Sequence, residues 1–178
     1  VRDKIGEQVA SNLVTMVDDG HVNGAVGMVL VDDEGVPGQR TTIIEQGILR
    51  AYLHSRESAA IFDTEPCGNA RAFTYQDEPL IRMTNTFVLP GEDNLDQMIQ
   101  GIDDGFILKG LGQGGQADAT AEFMFGVREA YRITSGKVGE MVKGITISGQ
   151  AFDVLKSVDA VSSDFAMEMG AGHCGKFQ

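Results

Sequence analysis

Short apolar runs that end in glycine turns dominate this chain. Its 178 residues include 23 glycines and 4 prolines, and the glycines recur beside the apolar runs. Glycine adopts the positive φ that tight turns require, so this pattern is typical of strands joined by turns. No long helical pattern and no internal repeat interrupts it. The sequence therefore predicts a β-dominated α+β fold with two or three short helices.

The strand predictions fall on specific segments. Residues 13–20 and 27–35 have the composition of strands that leave the core into acidic turns. Residues 41–53 form the strongest hairpin candidate, with Gln46-Gly47 at its turn. Further strands are expected at 80–89, 122–127, 130–133 and 142–147, with a turn at Ser135-Gly136 and a glycine-rich loop at 110–115.

Three segments have the pattern of short helices. Residues 55–61 follow Ser55, a suitable N-cap. Residues 94–102 place apolar side chains at i, i+3, i+4 and i+7, with Asp93 or Asn94 as the cap. Residues 150–158 form the third candidate.

The composition of the chain argues against some functions and indicates its cellular compartment. A net charge of −12 and a pI near 4.5 argue against nucleic acid as a direct partner, because phosphate binding needs a basic patch. No apolar run approaches a membrane span, and we expect the protein to have no signal peptide. Cys67 and Cys174 could pair, but two cysteines without a signal peptide favour a reducing cytoplasm, where we expect the protein to lie.

Cys174 is the strongest candidate for chemistry. It stands between glycines, beside His173 and Lys176, which suggests a metal ligand or a reactive thiolate; an idle free thiol is the alternative. A zinc site needs three or four ligands, and the chain offers two cysteines and three histidines without helical spacing between them. If Cys174 binds metal, most of its site is expected to lie outside this sequence.

Four segments together resemble a known family. They are VDDEGVPG at 31–38, RMTNTFVLPG at 82–91, GGQAD at 114–118 and HCGKFQ at 173–178. In this order they resemble the C-terminal domain of the TldD/PmbA family, on its TldD side, over essentially the whole chain. That family was named as modulators of DNA gyrase and is understood as zinc metallopeptidases. The resemblance implies a single domain over 1–178 with an antiparallel, barrel-like sheet.

The resemblance also implies how the zinc site is divided. The family site combines a His-Glu-x-x-x-His helix, whose Glu is the general base, with a downstream cysteine that matches Cys174. The helix lies just upstream of the segment that matches Gly6-Glu7-Gln8, so we expect it before Val1. This chain would then contribute one ligand and no catalytic residue, and would hold zinc poorly alone.

Implied substrates and partners follow from the same family. We expect peptides or unfolded proteins as substrates, and a homodimer or a TldE-like subunit as the assembly. The rival interpretation is a non-catalytic TldE/PmbA-like binding or assembly subunit, against which the Cys-Gly-Lys ending argues. A direct regulator of gyrase or DNA is disfavoured by the charge.

The candidate substrate-binding residues are Arg82, Asn85, Gly114 and Gly115. Arg82 could hold a peptide carboxylate and Asn85 could pair with a peptide backbone, or both could be structural parts of a strand face. The glycine-rich loop lacks the Lys-Ser/Thr that follows in a phosphate-binding loop, so a nucleotide site is not expected. We interpret the loop instead as a connection between strands that lines the peptide groove.

The other polar positions have plainer interpretations. The acidic segments at 18–19 and 32–34 lack calcium-loop spacing and are expected in turns. Cys67 is interpreted as a small loop residue. His173 is expected to support the metal ligand beside it without binding the metal itself.

Overall fold

A computed structural model describes residues 4–112 and 121–167. They form two compact units, one built mainly from Val14–Leu89 and the other from Val9–Leu13 and Pro90–Phe165. All paired strands among the described residues run antiparallel, and helices are few and short. The prediction of a β-dominated α+β fold is confirmed. The interpretation of 1–178 as a single domain stays a prediction.

The first unit is organised around a four-stranded sheet. Its buried apolar side chains include Val17, Ile44 and Leu49, each at most 4 % exposed. Burying one such side chain contributes about 1.5–3 kcal/mol. The sheet order is β3-β2-β1-β6, and β4 and β5 form a separate pair. The strands are β1 Met16–Asp19, β2 Arg40–Glu45, β3 Ile48–Leu49, β4 Ala70–Arg71, β5 Leu80–Ile81 and β6 Thr86–Val88.

The predicted hairpin at 41–53 is confirmed as β2 and β3. Gln46 and Gly47 both have positive φ, 47° and 82°. Two left-handed residues in a two-residue turn give the type I′ geometry whose twist matches that of the flanking strands. The edge of β3 is covered by the preceding chain, because Leu49 exchanges backbone hydrogen bonds with Gly6 and Glu7. This edge is therefore closed to an added strand.

The helix predicted at 55–61 is observed as α1, Arg56–Phe62. Ser55 caps it, and its side chain accepts a hydrogen bond from the Ser58 backbone while the Ser58 hydroxyl accepts one from the Ser55 backbone. This reciprocal capping box satisfies two amide groups that the first turn would leave unpaired. The helix ends at Asp63, which has a left-handed backbone.

Two strand predictions in the first unit need correction. Residues 27–35 are a chain of bends and turns, in which only Val31 makes a strand-like bridge, to Pro37. Only the acidic turn at the end was predicted correctly. The run at 80–89 is divided into β5 and β6, since the backbone N–H of Thr84 is bonded to the carboxylate of Asp18 instead of to a strand. Side-chain acceptors compete with strand pairing at both places.

The second unit is built on one long strand. Glu122–Thr134, which the sequence predicted as two strands, is continuous over 13 residues. It pairs with three others, giving the order β10-β8-β7 with β9 also on β8. The turn at Ser135-Gly136 is confirmed, with φ of 48° and 72°. The strands are β7 Asp104–Leu111, β8 Glu122–Thr134, β9 Lys137–Val142 and β10 Thr146–Gln150.

The two helices of the second unit are shorter than predicted. Helix α2, Leu95–Gln100, is capped by Asn94, whose side chain accepts from the Gln97 backbone. Helix α3, Ala151–Lys156, is capped by Gln150. Within residues 4–112 and 121–167, no helix has the length and apolar character needed to cross a membrane.

Candidate functional site

Three of the five predicted site residues, Cys174, Gly114 and Gly115, lie outside the described residues. His173 does too. Their proposed roles stay predictions.

Arg82 and Asn85 lie on the segment that joins β5 to β6, where both make contacts within the first unit. The Asn85 side chain accepts from Gly27 N at 3.1 Å and donates to the Asp19 carbonyl at 2.7 Å. Arg82 is 9 % exposed, and its Nε donates to the Arg71 carbonyl at 3.0 Å. These contacts support the structural alternative, and substrate binding by either residue stays a prediction.

The same segment is fixed by the buried carboxylate of Asp18. This side chain is 1 % exposed and lies within β1, so the prediction that it is a turn residue is wrong for Asp18. It accepts hydrogen bonds from Thr84 N at 2.9 Å, Thr84 Oγ1 at 2.7 Å, Thr86 Oγ1 at 2.5 Å and Asn69 Nδ2 at 2.8 Å. A buried carboxylate is tolerated when its lone pairs are satisfied in this way. Asp18 therefore positions residues 84–86 beside β1.

The acidic turn at 32–33 binds backbone N–H groups. The Asp32 carboxylate accepts from Glu34 N, Val36 N and Ala70 N at 2.9–3.0 Å. Asp33 accepts from Ala72 N at 2.8 Å. The turn interpretation of this pair is confirmed.

The first unit contains a cleft of about 540 Å³. It is lined by residues of the β2–β3 hairpin and of the segment that follows it, including Arg40, Arg50 and Tyr52. Residues at the end of α1 and in the chain beyond it, including Phe62, line it as well. The Tyr52 and Phe62 rings meet edge to face with centroids 6.2 Å apart. Such pairs hold aromatic side chains in a defined arrangement.

His54 and Cys67 lie side by side in this cleft. The backbone N–H of His54 donates to Cys67 Sγ at 2.8 Å, and His54 Nδ1 lies 3.1 Å from Ser58 Oγ. Burial raises the pKa of the Cys67 thiol, and burial lowers the pKa of His54. The thiol is therefore protonated and the imidazole neutral near pH 7, so this pair is not an activated nucleophile. The interpretation of Cys67 as a small loop residue agrees with this environment.

Side chains of both charges line the cleft. Arg40 and Arg50 are on the hairpin side, whereas Asp63 and Glu65 follow α1. Arg50 Nε donates to Glu45 at 3.0 Å, and Arg40 lies at 4.0 Å from Asp19. Because His54 is neutral, the charge of the lining comes from these two arginines and two acidic residues, which carry two positive and two negative charges.

The described residues do not by themselves fit a zinc ion. Across residues 4–112 and 121–167, no group of three or more His, Cys, Asp or Glu side chains could hold a metal. His54 and Cys67 are neighbours, but these two side chains do not complete a zinc site, which needs three or four ligands. No step of a metal-dependent reaction is therefore assigned to these residues.

Sequence reasoning missed the cleft and the role of Asp18. Cys67 and His54 are 13 residues apart, and Asp18 is bonded to residues more than 50 positions away. The one local signal was the capped helix that follows a hairpin, which brings Phe62 back towards Tyr52. No motif in the sequence marks these contacts.

Comparison with protein families matches residues 1–176 to the PmbA/TldA metallopeptidase C-terminal domain. The chain belongs to the TldD/PmbA family. Among curated members, a metalloprotease of Methanocaldococcus jannaschii is 44 % identical over 176 residues, covering 98 % of this chain and 38 % of the relative. A protein of Saccharolobus solfataricus named zinc metalloprotease TldD homolog is 37 % identical over 143 residues, covering 80 % and 32 %.

A solved structure of the same family has a similar fold. The crystal structure of TldE from Thermococcus kodakarensis superposes with a TM-score of 0.77 and 26 % identity, covering 91 % of this chain and 37 % of that one. This TldD/PmbA chain thus spans less than two fifths of the length of each protein compared.

Proposed function

We propose that this chain is the C-terminal part of a zinc-dependent peptidase that hydrolyses peptides or unfolded proteins. The observation that carries the proposal is the match of residues 1–176 to a metallopeptidase C-terminal domain. Relatives at 44 % and 37 % identity are named metalloprotease and zinc metalloprotease. Membership of the family is established, whereas the activity, the zinc ion and the substrate are parts of the proposal.

Cys174 is the zinc ligand that we assign to this chain. Thiolate is a common zinc ligand, and the glycines on either side allow the backbone to approach a metal closely. The other ligands and the general base would come from a His-Glu-x-x-x-His helix encoded before Val1. No such motif occurs within these 178 residues.

The substrate-binding residues in this proposal are Arg82, Asn85, Gly114 and Gly115. Support comes from the way in which Asp18 and Asn69 hold the segment between β5 and β6 in place. A fixed backbone loses little entropy when a substrate binds to it. Met83, between the two candidate residues, is 52 % exposed and offers an apolar contact beside them.

A second candidate function is a non-catalytic subunit that binds or assembles with a peptidase. The observation in its favour is the structural similarity to TldE, with a TM-score of 0.77. That protein is 26 % identical to this chain, while the relatives named metalloprotease are at 44 % and 37 %. The sequence comparison therefore favours the peptidase, with a homodimer or a TldE-like partner as its assembly and the cytoplasm as its location.

Hydrolysis by the full-length protein tests the proposal. We expect an unfolded protein or short peptide to be cleaved, cleavage to stop when a chelator is added, and zinc to restore it. The 178-residue chain alone is expected to be inactive because it lacks the His-Glu-x-x-x-His motif. A full-length, zinc-loaded protein without hydrolytic activity would favour the non-catalytic subunit. Chelator-sensitive cleavage by the isolated chain would show that its catalytic residues lie within it.

A further inference from the structure

We propose that the cleft of the first unit binds a short peptide through both of its free ends. The proposal rests on the proposed function for the class of ligand, since a peptidase encounters short peptides as substrates and products. The charge, shape and apolar surface of the cleft are observed independently of that function.

The charged side chains that line the cleft match a molecule with one anionic and one cationic end. Arg40, in β2, and Arg50, directly after β3, are suited to a terminal carboxylate, which guanidinium groups bind with two parallel hydrogen bonds. Asp63 and Glu65, which follow α1, are suited to a terminal ammonium group. A peptide with blocked ends would lose both interactions.

The arginines are available to a ligand because their present partners hold them weakly. The pair of Arg50 with Glu45 is a surface ion pair, with side chains 49 % and 55 % exposed. Exposed pairs of this kind contribute little to stability, so a carboxylate in the cleft can compete for the guanidinium. Arg40 is 50 % exposed and only reaches Asp19 at the limit of an ion pair, 4.0 Å.

The aromatic and aliphatic residues that line the cleft are suited to an apolar side chain. Phe62 is 40 % exposed, and its ring meets Tyr52 and His54 with centroids 6.2 Å and 5.3 Å away. Ile5, 48 % exposed, adds an aliphatic contact. Since burial lowers the pKa of His54, its imidazole adds no charge to this surface near pH 7. An aromatic or aliphatic side chain would displace water from these groups.

The size of the cleft limits the length of the ligand. Its volume of about 540 Å³ lies within the range of roughly 300–1,000 Å³ usual for small-molecule sites. We therefore assign a peptide of two or three residues to it, and not an extended unfolded chain. The edge of β3 is already covered by Gly6 and Glu7, which excludes strand addition there.

Calorimetric titration of the full-length protein with the dipeptide Leu-Phe tests this inference. A chelator is included so that the peptide is not consumed, and N-acetyl-Leu-Phe and Leu-Phe-amide are titrated alongside. We expect the wild type to bind free Leu-Phe about threefold to fivefold more tightly than either blocked form, because each block removes one solvent-exposed charged contact. Arg50→Gln is expected to weaken binding of the free peptide and to abolish its advantage over the amide. Glu65→Gln is expected to do the same with respect to the acetylated form.

The matched control is Arg132→Gln in the second unit. Arg132 is also 49 % exposed and is paired with a carboxylate, Asp104, at 2.7 Å, but it does not line the cleft. It is expected to leave affinity unchanged. The inference is overturned if free Leu-Phe does not bind, if blocked forms bind equally well, or if the Arg50 and Glu65 variants bind like the wild type. Failure of hydrolysis in the zinc-loaded protein would refute the peptidase proposal without changing these affinities.

Discussion

Replacement of Asp18 by asparagine exchanges one carboxylate oxygen for an NH2 group, and this small change should destabilise the first unit severely. Each carboxylate oxygen accepts one hydrogen bond from a hydroxyl and one from an N–H group. Oδ1 accepts from Thr86 Oγ1 and Thr84 N, and Oδ2 accepts from Thr84 Oγ1 and Asn69 Nδ2. The threonine hydroxyls can rotate to accept from an amide. The two N–H donors cannot.

Either orientation of the new amide leaves one fixed donor unpaired. The backbone N–H of Thr84 cannot turn away, and the Asn69 Nδ2 group also donates to the Arg82 carbonyl at 3.0 Å. An unsatisfied buried donor costs about 1–3 kcal/mol, and hydrogen bonds to a neutral acceptor are weaker than those to a charged one by roughly 1 kcal/mol. Relief from burying a charge offsets part of this loss. We expect the free energy of unfolding to fall by about 3 kcal/mol.

Urea denaturation followed by far-ultraviolet circular dichroism measures this change. The midpoint should fall with little change in the slope. Asp104→Asn is the control, since that side chain is 67 % exposed and its carboxylate is bonded to the exposed Arg132, so that it should change stability little. If the free energy of unfolding of Asp18→Asn lies within about 0.5 kcal/mol of the wild-type value, the reasoning about buried donors is refuted.

Two further predictions concern the cleft. Burial lowers the pKa of His54 from its ordinary 6.5. As the pH falls below 6.5, the unfolded chain therefore gains a proton that the folded chain does not gain. The part of the unfolding free energy that neutral His54 contributes above pH 6.5 is then lost. His54→Asn should therefore lessen the loss of unfolding free energy between roughly pH 7 and 5; equal slopes in the wild type and in this variant would contradict the prediction. Because burial raises the pKa of Cys67, a thiol reagent applied to the Cys174→Ala protein should label Cys67 only as fast as the protein opens. Labelling within seconds in the native state would show that the thiol is accessible.

Predictions from sequence succeeded where a few neighbouring residues decide the conformation. Gln46-Gly47 specifies a hairpin turn through its positive φ, and Ser55 specifies the start of α1 through its side-chain hydrogen bond. Both signals are contained within about four residues, so tertiary contacts reinforce them without having to override them.

The predictions that failed depend on partners far away in the sequence. The run at 27–35 has strand composition, but Gly27 is bonded to the Asn85 side chain, and a Cβ at Gly27 would lie 2.4 Å from the Thr84 carbonyl oxygen. Asp18 looked like a turn residue because aspartate is usually exposed, and its four donors could not be found from spacing. The cleft was missed for the same reason.

Zinc analysis of three full-length proteins, the wild type, Cys174→Ala and Cys67→Ala, tests whether Cys174 binds the metal. We expect close to one zinc ion per chain in the wild type, a marked loss in Cys174→Ala with the fold retained, and an unchanged content in Cys67→Ala, whose thiol is buried. A Cys174→Ala protein with the zinc content of the wild type would remove this cysteine from the metal site and contradict the assignment.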